Sequence, residues 1–493
     1  MIIKTEKSEF GDYLADASNM PGGAAERVFI PETADEVADA VKAAEGPITI
    51  SGARTGTVGG AVPFGGTVIS LEKLNKIVAI DVEGMTVTAE AGVILADLQR
   101  AVEAEGLYYP PDPTEWSCQI GGTVATNASG ARSFKYGATR DFVRRITVVL
   151  ADGDTIGISR GEHISDNGRL HLRTDSGSEI SARIPTYRKP DVRKDACGYV
   201  AGEKVDAIDL FIGSEGTLGI ITEVELALVR KPSGSLSGIV FFREESDLHD
   251  LVRAARDASF ATRAGRSEGI DASLIEYFDK RSLELIAEKF PEVPGGMAGA
   301  VFSEQETDDE NEDELFDAWN TLFEENNAEM EESWFAVSEN DLAKMREFRH
   351  ALPVAVNERV VRNNQRKIGT DMALPDENFP SFLDYCRGKL DSSGMEYVIF
   401  GHIGDNHLHI NLLPKDDNET VAARHLYGRF IAQSIMLGGT VSAEHGVGKL
   451  KSKYLYVMYG ERYLTEMAEL KRAFDPDFRL GPGNMIDLQY LRY

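Results

Sequence analysis

The sequence predicts an α+β fold in two parts, and three observations lead there. Residues 26–232 are rich in Gly, Val, Ile and Thr, with short strands set off by glycine turns rather than a regular βαβ repeat. After VRKPSG at 229–234 the pattern changes to longer helices alternating with strands. Glycine clusters recur at 50–66, 110–143 and 210–229, all within the first part.

Residues 1–25 read as a short helical lead and a loop. PITISG, TVISLE and MTVTAEAG follow as strands. ILADLQRAVEAEG reads as a helix ending at Gly106, because glycine takes the left-handed turn after a last helical residue. The first domain so outlined covers 26–232. The second covers 233–436 and opens with strand GIVFF and helix ESDLHDLVRAARDA, followed by a strand and helix near 269–289. The acidic run SEQETDDENEDELFDAWNTLFEENNAEMEES reads as a solvated loop and helix face, the usual fate of a charge block. A helix at 340–356, strands near 367–374 and helix NFPSFLDYCRGKL come next. Two strands then flank GDNH at 404–407, and helical patterns follow at 417–436 and 453–474. Residues 437–493 form a separate C-terminal segment.

A chain of 493 residues can bury large cores, and its net charge of −29 repels DNA and anionic membrane surfaces. Nucleic acid is therefore not expected as a partner, and an anionic substrate needs a local positive site. The three cysteines, Cys118, Cys197 and Cys386, are far apart and form no CxxC pair, so neither a disulfide framework nor an iron–sulfur signature is present. The N-terminus has no basic segment followed by an apolar run, and no apolar stretch approaches the roughly 20 residues that span a bilayer. The expected location is cytoplasmic, or peripheral to a membrane through a partner.

ISGARTGTVGGAVPFGG runs from a strand into closely spaced glycines, where backbone N–H groups can converge on an anion. It is neither a Walker loop nor a dinucleotide fingerprint, since GK[ST] and GxGxxG are absent. Alone it leaves tight turns and a phosphate cradle equally open. PPDPTEWSCQIGGTVATNASGARSFKYGATRDFV adds a dozen small residues and hydroxyls. LFIGSEGTLGIITEVELALV adds a third glycine core. Together they suit a large planar ligand with a diphosphate arm, because bulky side chains would block close backbone approach.

YVIFGHIGDNHLHINLLP concentrates three of the chain's nine histidines. A hairpin turning at Gly404–His407 would set His402 opposite His409, with Cβ atoms about 4.5–5.5 Å apart. That is near enough to share one ion, and a carboxylate would complete the set. SAEHGVG supplies Glu444 beside His445, and adjacent residues project in different directions. The competing reading is of polar surface histidines or hydrogen-bonded core histidines.

SGARTG, PPDPTE, CQIGGTVATNASGARSFKYGATRDFV, GSEGTLGIITEVEL, GHIGDNHLHINLLP, SAEHGVGKLK and GPGNMID occur in one order over residues 26–490. This order resembles the FAD-linked D-2-hydroxy-acid dehydrogenases of the vanillyl-alcohol-oxidase flavoprotein superfamily: D-lactate dehydrogenases, glycolate oxidase catalytic subunits and D-2-hydroxyglutarate dehydrogenases. The resemblance implies a bipartite FAD-binding domain, an inserted α+β cap, and a C-terminal return to the flavin. It places FAD against Ser51, Gly52, Arg54, Thr55, Gly56, Pro111, Asp112, Thr114, Ile120, Gly121 and Gly122. It adds Asn127, Ala128, Ser129, Gly130, Gly216, Ile220, Ile221 and Asn484. Cys118 stands where this branch commonly has a non-linking cysteine, so FAD is expected to be non-covalent.

The resemblance also makes His402, His409 and Glu444 metal ligands and His445 the active-site base. Arg349, in MREFRHALPVAVN, matches the arginine that binds the substrate carboxylate, as a planar guanidinium can. Two departures are visible. The usual GDGNLH reads GDNHLH, so His407 replaces an asparagine and stays outside the implied metal set. Gly369 stands where hydroxyglutarate enzymes have a lysine, with Lys367 offset by two, which weighs against a dicarboxylate substrate. The implied reaction is oxidation of a D-2-hydroxy acid, D-lactate foremost and glycolate or D-2-hydroxyglutarate next. Electrons would pass to a quinone, cytochrome, electron-transfer flavoprotein or iron–sulfur partner. A redox-inert ion is expected, Zn²⁺ before Mn²⁺ or Fe²⁺. A homodimer or a hetero-complex would fit. The alternatives are a flavin-dependent alkyl transferase of the same fold and a non-catalytic flavoprotein subunit of a larger complex.

Overall fold

The computed structural model describes residues 1–308 and 310–491, so the last two residues of the C-terminal segment outlined above lie outside the described residues. Two sheets carry the first part. The smaller has the order Ile2–Lys4, Arg27–Ile30, Thr67–Ser70, Ile48–Ser51, and its last three strands are parallel. The larger is antiparallel, ordered Ile77–Asp81, Thr86–Glu90, Ile220–Ala227, Val143–Val149, Thr155–Ser159. Helix Ala34–Ala43, capped by Thr33, buries Val37, Ala40 and Val41 against Ile48 and Ile69 of the smaller sheet. Helix Leu95–Ala104 ends beside Gly106, whose φ of 73° bears out the stop signal.

The lead opens on a strand, and its expected helix is reduced to 3-10 turns. Ile2–Lys4 pairs antiparallel with Arg27–Ile30, and two short 3-10 turns follow, from which Phe10 and Tyr13 plug a small core. The β-branched pair Ile2 and Ile3 favours the edge of a sheet over an isolated turn of helix.

An eight-stranded sheet carries the second part. Its order is Trp334–Phe335, Gly234–Phe242, Gly299–Thr307, Leu274–Asp279, Tyr397–His402, His407–Leu412, Ile368–Gly369, and Met372–Ala373 also pairs with His407–Leu412. The acidic run departs from its expected solvated state at its start. Strand Gly299–Thr307 buries Glu304 and Gln305, while helix Glu312–Glu325 presents an acidic outer face. Acids of this sheet region meet cations of the first part. Arg132 pairs with Glu304, and Lys135 lies 2.9 Å from Glu306 and 3.1 Å from Asp271.

The C-terminal segment returns to the first part. Helices Ser452–Tyr459 and Glu461–Phe474 are separated by Gly460, and Ile48 N–H then donates to Arg479 O at 2.7 Å. The buried pair Lys471–Asp475, at 2.7 Å, fixes this turn, with Lys471 Nζ also donating to Thr217 O and Leu480 O. The segment therefore reaches the smaller sheet at Ile48 and the loop before strand Ile220–Ala227 at Thr217.

Candidate active site

A cleft opens between the two sheets of the first part and the returning loop 444–448. Of the expected cofactor contacts, Gly52, Arg54, Thr55, Gly56, Thr114, Gly121, Gly122, Ala128, Ser129, Gly216, Ile220, Ile221 and Asn484 line it. Gly56 and Gly122 have open space where a Cβ would stand, so their backbones lie bare toward a ligand. The cradle thus fits an extended, phosphate-bearing cofactor.

Ser51, Pro111, Asp112, Ile120, Asn127 and Gly130 do not line the cleft; they shape its walls. Ser51 and Ile120 are fully buried. Pro111 O accepts from Gln99 Nε2, and Asp112 Oδ1 accepts from Trp116 Nε1. Asn127 ends helix Ile120–Thr126 in the left-handed region and accepts Arg140 N–H through Oδ1. A Cβ on Gly130 would stand 1.8 Å from Asp112 O, so glycine is needed there for close approach. Arg54 sits with φ 62°, its guanidinium over the Tyr13 ring and Nη1 donating to Gly52 O at 3.2 Å. Cys118 faces the cleft, and burial, with Glu115 nearby, pushes its thiol up to about 12.

At one end of the cleft the histidine hairpin meets Glu444. Its register differs from expectation: His402 opposes His407, and His409 opposes Phe400. The turn is as long as expected but sits one position earlier, over 403–406. A 3-10 turn over Ile403–Asp405 closes on Asn406, which takes φ 52°, a conformation asparagine tolerates. His402 and His409 still converge, because His402 ends its strand with φ −82° and ψ 68°, turning out of the pleat. One ligand atom from each of His402, His407, His409 and Glu444 lies within 4.8 Å of the others.

Around Glu444, His402 Nε2 lies 3.1 Å from Oε1, His409 Nε2 3.7 Å from Oε1, and His407 Nδ1 3.7 Å from Oε2. Lys194 Nζ, wholly buried, lies 3.1 Å from Oε2 and 3.4 Å from Asp405 Oδ2, and Ser129 Oγ donates to Oε2 at 3.3 Å. Burial alone would raise the Glu444 carboxyl, but Lys194 and His402 hold it well below the usual range. Burial would likewise discharge His402, yet Glu276 beside it, at 2.6 Å, brings it up to about 9. Such a set of anchored imidazoles and one carboxylate suits a divalent cation.

His445, adjacent in sequence, lines the cleft; its ring stacks on His409 at 5.4 Å, and Nδ1 lies 3.3 Å from Asp371 Oδ2. Arg349 lies by the cluster but not free: its Nε donates to Glu276 at 3.0 Å. Gly369 pairs with Asn411, and a Cβ there would meet Asn411 Oδ1 at 2.9 Å, so no cation stands at that position.

Sequence reasoning missed Asp371, Glu276, Lys194 and Glu215. Asp371 Oδ atoms accept N–H of Ala443, Glu444 and His445 at 3.1–3.2 Å, and Lys451 Nζ at 2.6 Å. Glu215 accepts N–H of Val447 at 2.6 Å and Gly448 at 2.7 Å. Two buried acids therefore hold the loop that carries Glu444 and His445. The signal was faint: an acid inside an apolar strand pattern, as in ASLIEYF and TDMAL, is the kind of residue that must find a buried partner.

Comparisons with known proteins agree with this architecture. Residues 25–159 match the family described as FAD binding domain, and residues 251–485 match that described as FAD linked oxidases, C-terminal domain. A D-lactate dehydrogenase of Anaerostipes hadrus is 31% identical over 492 residues, covering 96% of this chain and 92% of that protein. Glycolate oxidase subunit GlcD of Bacillus subtilis is 29% identical, with 96% and 92% covered. A D-2-hydroxyglutarate dehydrogenase of Xanthomonas citri pv. viticola is 28% identical, with 98% and 94% covered. A solved alkyldihydroxyacetonephosphate synthase superposes with a TM-score of 0.66 at 15% identity, covering 97% of this chain and 82% of that one, which establishes a shared fold. Among the described residues no helix is long and apolar enough to cross a membrane. With its glycine-lined cleft, its inserted sheet and near full-length likeness to these relatives, the chain belongs to the family of FAD-linked oxidases.

Proposed function

We propose that this protein oxidises a D-2-hydroxy acid to the 2-oxo acid, with D-lactate the first candidate and glycolate or D-2-hydroxyglutarate next. One observation carries the reading: His445 lines the FAD cleft while Glu444, one residue earlier, meets His402 and His409. A base, a cation site and a hydride acceptor site thus adjoin.

Bound FAD supplies the hydride acceptor, and a divalent ion at His402, His409 and Glu444 supplies a Lewis acid for the C2 hydroxyl. His445 takes the hydroxyl proton as general base. Asp371 occupies its Nδ1 side, which leaves Nε2 for the substrate. Arg349, held through Nε by Glu276, offers its remaining donors to the substrate carboxylate and so sets which face of C2 is presented. The proton leaves to His445, the electron pair leaves as hydride, and C2 becomes a carbonyl carbon. The buried, high-pKa Cys118 thiol supports a non-covalent flavin. Electrons then leave to an acceptor that is not NAD: a quinone, cytochrome, electron-transfer flavoprotein or iron–sulfur partner.

Anaerobic mixing with D-lactate should bleach the flavin absorbance, and a panel of D- and L-2-hydroxy acids with a dye acceptor ranks the substrates. If no member of the panel bleaches the flavin, the proposal falls and a redox-neutral transferase takes its place.

A further inference from the structure

We propose that His407 is a fourth protein ligand at this centre, and that the ion it serves is a five- or six-coordinate divalent cation, Mn²⁺, Fe²⁺ or Co²⁺, rather than tetrahedral Zn²⁺. The inference rests on the cation-site reading above and deepens it.

Three rings share one arrangement. His402 has Nδ1 2.6 Å from Glu276 Oε1, and its Nε2 faces Glu444. His409 has Nδ1 3.2 Å from Thr370 O, and its Nε2 faces Glu444. His407 has Nε2 3.1 Å from Asp371 Oδ1, and its Nδ1 faces Glu444. In each ring one nitrogen stands by a backbone or carboxylate acceptor while the other converges on the same carboxylate. Metal-bound histidines are oriented in this way, since an outer acceptor fixes the tautomer and leaves a lone pair on the inner nitrogen.

His407 is the most deeply buried of the three rings. It is 0% exposed, and neither nitrogen makes a hydrogen bond of good geometry within the protein. A buried imidazole left so keeps a desolvation cost that nothing in the protein offsets. A cation accepting the Nδ1 lone pair would remove that cost.

The donor count then constrains the ion. Catalytic zinc sites use three protein ligands and keep a fourth position for water or substrate, whereas four protein ligands close a tetrahedral shell. Three imidazoles and a carboxylate would leave no place for a hydroxy acid on a tetrahedral ion. An ion of coordination number five or six keeps one or two places open. Nitrogen and oxygen donors without thiolate suit Mn²⁺, Fe²⁺ and Co²⁺.

The test uses the FAD-loaded protein after chelation, titrated with Co²⁺ and followed by difference absorption beyond the flavin bands. The expected result is the weak visible spectrum of five- or six-coordinate Co²⁺ in the wild type. His407→Ala should weaken Co²⁺ binding by at least the ~10–100-fold that loss of an orienting partner costs, and added imidazole should restore it. His407→Asn, a smaller cavity, serves if the alanine variant loses FAD. An intense tetrahedral spectrum in the wild type overturns the proposal without any variant. So does unchanged affinity and spectrum in the His407 variants while His409→Ala loses the ion. If the wild type binds no divalent ion, the underlying cation site itself fails.

Discussion

Asp371 Oδ2 lies 3.3 Å from His445 Nδ1, and the same carboxylate holds the backbone N–H of His445 at 3.1 Å. One buried acid therefore sets both the loop and the ring of the proposed base. Burial would raise its carboxyl, but His445 and Lys451 keep it well below the ordinary range. Asp371→Asn leaves Lys451 buried without its charge partner, which for a buried pair costs about 3–5 kcal/mol. Urea unfolding should show that loss, and flavin reduction by D-lactate should slow in the folded fraction. Wild-type stability in this variant would mean that the Lys451 pair carries no weight.

Glu444 and His445 have separable roles. His445→Ala should keep bound metal near the wild-type ratio and cut flavin reduction roughly 10²–10⁴-fold, the usual contribution of a general base. Its residual rate should rise with pH as hydroxide takes over. Glu444→Ala should lose metal as well as rate, with partial recovery on added metal. Metal analysis and anaerobic stopped-flow decide the matter; loss of metal from the His445 variant would reverse the two assignments.

Glu215 gives the protein a pH slope. Burial lifts its carboxyl from 4.5 to about 7, against the pull of the Val447 and Gly448 N–H donors and Lys449. Between these values the folded state holds more protons than the unfolded chain, so stability falls as pH rises from 4.5 to 7 and then levels. The contribution is about 3 kcal/mol at ~1.4 kcal/mol per pH unit. Glu215→Gln should show a smaller stability difference between pH 5 and pH 8 than the wild type in urea titrations. Equal differences would show that Glu215 does not titrate there.

Cys118 should resist alkylation. With the thiol pushed up to about 12, its thiolate is scarce at pH 8, so iodoacetamide should leave the folded protein unlabelled on intact mass. Heat or acid should release the flavin from the precipitated protein. Colour retained by the precipitate would mean a covalent link.

Much of this was legible in sequence because it rests on local chemistry. Glycine spacing announces bare backbone, since no other residue lets N–H groups converge without a Cβ in the way. Strand Tyr397–His402, helix Glu245–Arg263 and the stop at Gly106 follow from side-chain period and turn chemistry, which act over a few residues. Adjacent Glu444 and His445 were readable as two roles because neighbours along a chain project apart.

The rest was decided by packing. A shift of the turn by one position, from 404–407 to 403–406, separates a His402–His409 pair from the observed His402–His407 pair, and the left-handed turn at Asn406 chose between them. Glu304 looked solvated until Arg132, 172 residues away, came to meet it. Asp371 lies 74 residues from His445, and Glu276 lies 126 from His402. Such partners leave no periodic trace, because a buried charge requires only that its counterpart arrive in space. His407 shows the same division: its residue type was plain in the sequence, while its full burial and its approach to Glu444 exist only once hairpin and return loop are folded together.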